Sequence, residues 1–434
     1  MTTLAERIGG AKRVVGGPFG SKLTSADYTL NGVPVIRGSN MEQNGRWIGG
    51  EFAFVSSEKV ISDLSSNLAG RGDIIVTQRG TMGQVSIVPD DAAAERFVIS
   101  QSQMAISVDP NCASRDFVYY YLRSPKFADY LDQSIIQVGV PHINLSILRQ
   151  SPADWPALEV QEEIANQLAA FDDKIELIRR MNETLEAMAQ AIFRDWFVDF
   201  GPVHRKLAGA TDPVEIMGGV TADGVRAAEL AALFPDALGG DGVPVGWRLA
   251  ALKDHIQNFD SKRVPVSGTE RAKRAGSYPY YGAASVMGSI DDYLFDGVFL
   301  LVGEDGSVVR PGGLAVTQYV WGKFWVNNHA HVLQGAGPVS TEQLLLYFNQ
   351  EPVEPYVTGA VQMKLSQGRM GTMPFVFAGQ EICEAFGKIV APLYSRVRAA
   401  ADEGRTLAET RDYLLPRLMS GEVRVGDVAQ EIAA

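Results

Sequence analysis

The stretch from Glu159 to Trp196 constrains this chain more than any other. It contains no proline or glycine, and its apolar residues recur at alternating steps of four and three: Ile164, Leu168, Phe171, Ile175, Ile178, Leu185 and Ile192. Asn182 and Ala189 fill the remaining seam positions, and Trp196 closes the series. Such a heptad seam predicts a long helix that needs a partner helix. An asparagine on the seam costs stability and fixes register. At 1.5 Å per residue the helix spans roughly 55 Å, too long for the interior of a small domain. The plainer alternative is an ordinary amphipathic core helix.

A second such stretch follows Gly379. Ile164, Leu168, Phe171 and Ile175 align with Ile382, Phe386, Ile389 and Leu393. Further on, Leu185, Ile192 and Trp196 align with Leu407, Leu414 and Leu418. The offset slips by four between the two blocks, which is the signature of a stutter. The chain therefore reads as an internal repeat of about half its length, each copy ending in a long helix.

The segments before the helices share a plan. Residues 1–155 read as a mixed α/β domain with short strands at Val33–Ile36, Gly72–Thr77, Gln84–Val88 and Gln101–Val108, then helices at Phe117–Arg123 and Pro125–Leu131. Residues 246–377 repeat it at low identity. Pro279-Tyr280-Tyr281 parallels Pro34-Val35-Ile36, Phe299–Val302 parallels Ile74–Thr77, and Phe324–Asn328 parallels Phe97–Gln101. The expected organisation is a domain at 1–155, a long helix at 156–200, a weakly patterned connector at 201–245, a second domain at 246–377, a second long helix at 378–420 and a loosely held tail at 421–434.

Net charge is -12, which at first sight argues against nucleic acid. Half of the excess lies on residues 156–200, which carry -6. The two domains are near neutral, so charge neither forbids nor supports DNA binding. Two cysteines far apart, Cys112 and Cys383, suit a reducing cytoplasm and exclude an all-cysteine zinc site. There is no signal-peptide core and no apolar run of membrane-spanning length.

A search for catalytic motifs returns no Walker loop, nucleophile elbow or H-E-x-x-H. His329-Ala330-His331 could place two imidazoles on one strand face, but no third ligand stands at a helpful spacing. Glu304-Asp305 reads as a carboxylate pair, as a polar turn, or as an acceptor for a cytosine amino group. The informative feature is polar residues after strands. In the first half these are Arg37, Asn40, Gln78, Arg79, Thr81, Gln103, Gln137, His142 and Asn144. In the second half they are Asn328, Gln362, Lys364, Gln367 and Arg369, joined by Lys262 and Arg263 of a basic stretch that continues through Arg271, Lys273 and Arg274. Arginine can fork onto guanine, and Gln or Asn onto adenine. Solvated turns and a wet charged face are the bland alternatives.

Taken in order and in duplicate, VPVIRGSN, GDIIVTQRGTMGQV, IQVGVPHINLSIL, PALEVQEEIANQLAAFDDKIE, AIFRDWFVDFGPV, KLSQGRMGTMP and LPRLMSGEV resemble the specificity subunits of type I restriction–modification enzymes over nearly the whole chain. The resemblance implies an α+β fold: two similar mixed α/β target recognition domains, separated by two long helices packed as an antiparallel coiled coil with pseudo-twofold repetition. It implies a non-catalytic subunit in which each domain reads one half of a bipartite DNA target and the helices set the unread spacer. It implies two methyltransferase subunits that carry S-adenosylmethionine and motor-nuclease subunits that use ATP and Mg²⁺, with no cofactor held by this chain. Pro392 and Gly404 inside the second helix depart from the regular rod. A non-catalytic scaffold for other proteins is the competing reading, and a self-sufficient modifying enzyme a third.

Overall fold

The structure is a computed structural model that describes residues 2–41, 45–81, 83–134, 142–359 and 362–433. The chain divides into two compact units. Unit 1 comprises residues 1–178 and 403–434, and unit 2 comprises residues 179–402. Two helices of 40 and 41 residues, Leu158–Phe197 and Gln380–Ser420, contribute one half to each unit.

In unit 1 one sheet orders its strands Val14–Gly16, Gln103–Ile106, Ile74–Thr77 and Val85–Ile87, all antiparallel. A second sheet contains one parallel pair, Val33–Ile36 beside Arg96–Ile99, with Val35 opposite Val98. Unit 2 repeats both features. Its first sheet runs Ile256–Asn258, Ala330–Gly335, Phe299–Gly303 and Thr317–Val320, again antiparallel. Its parallel pair is Tyr278–Tyr281 beside Lys323–Val326, with Tyr280 opposite Trp325. The register reproduces the alignment read from the sequence, so the repeat extends to individual strand pairs. Three of the parallel strands are largely buried and apolar, as expected for strands covered on both faces, while Tyr278–Tyr281 is half-buried.

Within unit 1 the first half of the first helix packs antiparallel on the last part of the second. Ile178 lies against Gly404, and further back Asp172 meets Arg411. Ile164, Leu168, Leu414 and Leu418 join the core of that unit, next to Tyr119, Tyr120 and Trp155. Within unit 2 the remaining halves pair the same way. Asn182 Nδ2 donates to the Val397 carbonyl at 3.2 Å, and the Phe193, Trp196 and Phe197 rings surround Phe386. Every seam position of the first helix is buried or half-buried. The seam asparagine thus bonds to the opposite backbone, which fits a register device.

Pro392 lies on the exposed side of a helix that continues unbroken. Gly404 is buried against the Ile178 side chain of the first helix. The first helix ends at Phe197, and Phe200 adopts the left-handed conformation (φ 49°) with its ring edge-on to Trp247 at 5.6 Å.

Two expectations need correction. Residues 201–245 are no loose connector. They form helices at Gly201–Leu207, Pro213–Ile216 and Gly224–Leu233, the latter two capped by Asp212 and Asp223. Val203, Met217 and Leu230 enter the unit 2 core with Trp196 and Trp247. The first two of these helices are too short to show a periodic stripe, whereas the third falls in VRAAELAALFPDALGG, which reads as a short helical piece. The tail is also anchored. Val423 and Val428 are buried in the unit 1 core, and Tyr413 donates to Glu431 at 2.7 Å. Among the described residues no helix is long and apolar enough to cross a membrane.

Candidate nucleic-acid interface

The strand Ile74–Thr77 ends in a turn, residues 78–84, that is closed by Thr77 N donating to Gln84 O at 3.0 Å. Gly80 and Gly83 hold positive φ there with open space around them. Beside it lie the ends of both parallel strands: Arg37 follows Ile36, and residues 100–102 follow Ile99. Gly17 passes so close to Ser100 that a Cβ would fall 1.9 Å from its carbonyl oxygen, so only glycine fits. Together these turns wall a cleft of about 710 Å³ in unit 1. Arg37, Arg79, Thr81, Gln84, Gln101 and Gln103 are among its lining residues, and no carboxylate lines it among the described residues.

The predicted contact residues of the first half fall into two groups. Arg79 and Thr81 are exposed at the cleft, and Arg37 is half-buried in its wall. Others hold the turns together. Asn40 is buried, its Nδ2 donating to Gly49 O and Glu51 O at 3.0 Å and its Oδ1 accepting from Arg37 N. Gln78 is buried and donates to Gln101 O at 2.7 Å. Gln103 is fully buried, accepts from Ser100 Oγ, and leaves its Nε2 without a partner. Asn144 caps the helix Leu145–Gln150, and His142 forms a bridge with Arg79. Gln137 lies outside the described residues. A buried amide cannot reach a duplex without opening the turn, so Asn40 and Gln78 position the cleft rather than project from it. Sequence pattern cannot separate these roles, because both require a polar side chain after a strand.

Unit 2 places Glu304-Asp305 where unit 1 has Gln78-Arg79. Gln78 N donates to Ser102 O at 2.8 Å, and its carbonyl accepts from Ile143 N. Glu304 N donates to His329 O at 2.8 Å, and its carbonyl accepts from Leu365 N. Asp305 then bridges Lys364 as Arg79 bridges His142. Ser366 caps the helix Gln367–Gly371 as Asn144 caps its counterpart.

Around Glu304 the side chains form a salt cluster. Arg263 Nη1 lies 2.7 Å from Glu304 Oε2 and donates to Ala330 O at 2.6 Å, so this predicted DNA contact is turned inward. Lys364 reaches Glu304 at 3.3 Å and Asp305 at 3.2 Å. His331 is fully buried. Its Nε2 lies 2.7 Å from Leu365 O, which can only accept, so Nε2 carries a proton. Its Nδ1 stands 2.5 Å from Asp260 Oδ2. Burial alone would raise the Asp260 carboxyl, but the hydrogen bond and charge of His331 outweigh it and hold the group below its ordinary value.

Asp260, Glu304 and His331 are close enough to share an ion. Arg263 and Lys364 already neutralise the acids, and both imidazole nitrogens are engaged, so the geometry is that of a structural salt cluster. The expected His329/His331 pair does not form: His329 precedes the strand and is exposed, while His331 points into the protein.

The basic stretch is spent on aromatic faces. Lys262 lies over Phe259, Arg271 over Tyr280 and Arg274 over Trp325, the last also paired with Asp291 at 2.7 Å. Asn328, Gln362, Gln367 and Arg369 are exposed. A feature that sequence reasoning missed is Arg411, buried against Asp172, which also accepts from the Tyr120 hydroxyl at 2.6 Å. The available signal was a charged residue on the apolar seam of the second helix.

Residues 20–187 match the family model described as the type I restriction modification DNA specificity domain. The chain is 25% identical to the HindI specificity subunit of Haemophilus influenzae over 426 residues, covering 85% of this chain and 90% of that protein. It is 21% identical to the MjaIX specificity subunit of Methanocaldococcus jannaschii, covering 86% and 82%. Among solved structures, the type I S subunit from M. genitalium aligns over 93% of this chain and 99% of its own at 15% identity, with a TM-score of 0.43.

Proposed function

From a chain related to the specificity subunits of type I restriction enzymes, we propose a DNA-reading subunit whose two units each read one half of a bipartite target. The observation that carries this reading is positional. Both units place a polar turn after the same strand of the same sheet, next to the ends of the same parallel pair. Backbone contacts position such a protein on a duplex, and side chains at the strand ends specify bases. In this reading Arg37, Arg79 and Thr81 serve one half-site, and Asn328, Gln362, Gln367 and Arg369 the other. Lys262, at the surface over Phe259, supplies a phosphate contact.

The two long helices set the distance between the half-sites. Half-sites one duplex turn apart lie ~34–36 Å apart, within reach of helices of ~60 Å. Methyltransferase subunits dock on this framework. Leu177 and Met188, exposed on the first helix, support an apolar contact there. The acidic surface of that helix suits a protein partner better than a duplex. S-adenosylmethionine belongs to those partners, and ATP and Mg²⁺ to motor-nuclease subunits. The chain itself acts in recognition, in the cytoplasm where the DNA lies.

Filter binding tests the reading with the host's methylated sequence and a random duplex, each with and without the methyltransferase partner. Preferential retention of the genomic sequence by the complex is expected. Absence of DNA binding in every arm would favour a protein scaffold. Labelling of the isolated chain by S-adenosylmethionine would revive the modifying-enzyme reading.

A further inference from the structure

We infer that the unit 1 cleft reads a guanine, with Arg79 as the specificity-determining residue, and that unit 2 uses a different code at the equivalent position. The inference rests on the DNA-reading function proposed above. Its starting point is the reversal of charge on a shared backbone. Gln78-Arg79 and Glu304-Asp305 make the same main-chain hydrogen bonds and precede the same bridge and capped helix. One site therefore offers a cation where the other offers carboxylates.

The surroundings reinforce the contrast. In a chain of net charge -12, the unit 1 cleft has two arginines and, among the described residues, no acid in its lining. Arg37 Nε is buried there with no acceptor. Gln103 is fully buried beneath Gly38, with one end of its amide unpartnered. Both of these atoms are shut off from the cleft, so the group that faces a ligand there is the exposed Arg79 guanidinium. The cleft is thus built for a group richer in acceptors than donors.

Among major-groove edges only guanine offers two adjacent acceptors, N7 and O6, without a donor of its own. Adenine presents its N6 amino group, cytosine its N4 amino group, and thymine a single acceptor beside a methyl. A guanidinium fork matches the first of these and no other as well. In unit 2, Asp305 and Glu304 accept rather than donate, and Lys364 and Arg263 hold both. The two units therefore do not read the same base edge at this position.

The test uses the complete methyltransferase complex and its genomic target. Each guanine of the target is replaced in turn by 7-deazaguanine, which removes N7 and keeps base pairing. At one guanine, wild-type affinity should fall about tenfold, while the Arg79→Ala complex, already weakened, shows no further loss. Unchanged thermal unfolding of Arg79→Ala separates recognition from folding. If no guanine responds, or if the responding guanine weakens both complexes equally, the assignment of Arg79 is overturned while DNA reading stands. If the complex prefers its genomic target no more than random duplex, the DNA-reading function falls with it.

Discussion

Arg411 and Asp172 are each about 5% exposed and lie on opposite helices of unit 1. A pair this buried contributes little net stability, but breaking it strands a charge. Arg411→Ala should destabilise by about 3–5 kcal/mol. The double variant Arg411→Met, Asp172→Leu should recover most of that in urea unfolding. Near-wild-type stability of the single variant would contradict the assignment. Asp260 gives a pH signature. Its carboxyl is held below the ordinary value in the folded state, so its stabilisation is present above that value, near pH 3.8, and is lost as pH falls through the folded one. Asp260→Asn should therefore lower the melting temperature at pH 7 and unfold less steeply with acid below about pH 4. Equal acid sensitivity in both proteins would place the titration elsewhere. Neither pair was legible in the sequence. Their partners lie 239 and 71 residues apart, so even where a charge on the apolar seam marks Arg411, nothing local names its partner.

At the scale of elements, the long helices and the strand pairs were legible because their periods are local. The seam from Ile164 to Trp196 marks its buried face residue by residue, and the strand equivalences came through at low identity because burial preserves short apolar runs. The helices Gly201–Leu207 and Pro213–Ile216 and the anchored tail were not, since one or two turns carry too few periodic positions, whereas Gly224–Leu233 falls in a stretch that reads as helical. Asn40 and Gln103 were misjudged as contact residues because turn-forming amides and base-reading amides share one composition. Gly404 supplies a test of the helix pairing. A Cβ there would meet Ile178 Cγ2 at 3.5 Å, an ordinary contact, so Gly404→Ala should stabilise by about 0.5–1 kcal/mol through helix propensity. Gly404→Leu should destabilise by overpacking. If Leu is accepted without loss in thermal unfolding, the close approach does not exist in solution.

At the scale of the whole molecule, the proposed function gives reading to the repeated units and spacing to the pair of long helices. One heptad added to both helices lengthens each by about 10.5 Å, close to three base pairs at 3.4 Å each. The lengthened protein should keep both half-site sequences and prefer a gap wider by about three base pairs. A variant that still modifies the original spacing would refute the helices as a ruler. The most direct measurement of the central claim is a genome-wide map of methylated positions in host cells with and without this chain. The account predicts a two-part motif, its halves unlike and separated by an unread gap of fixed length, that vanishes when the chain is deleted. A continuous motif, or a methylation pattern indifferent to the deletion, would contradict it.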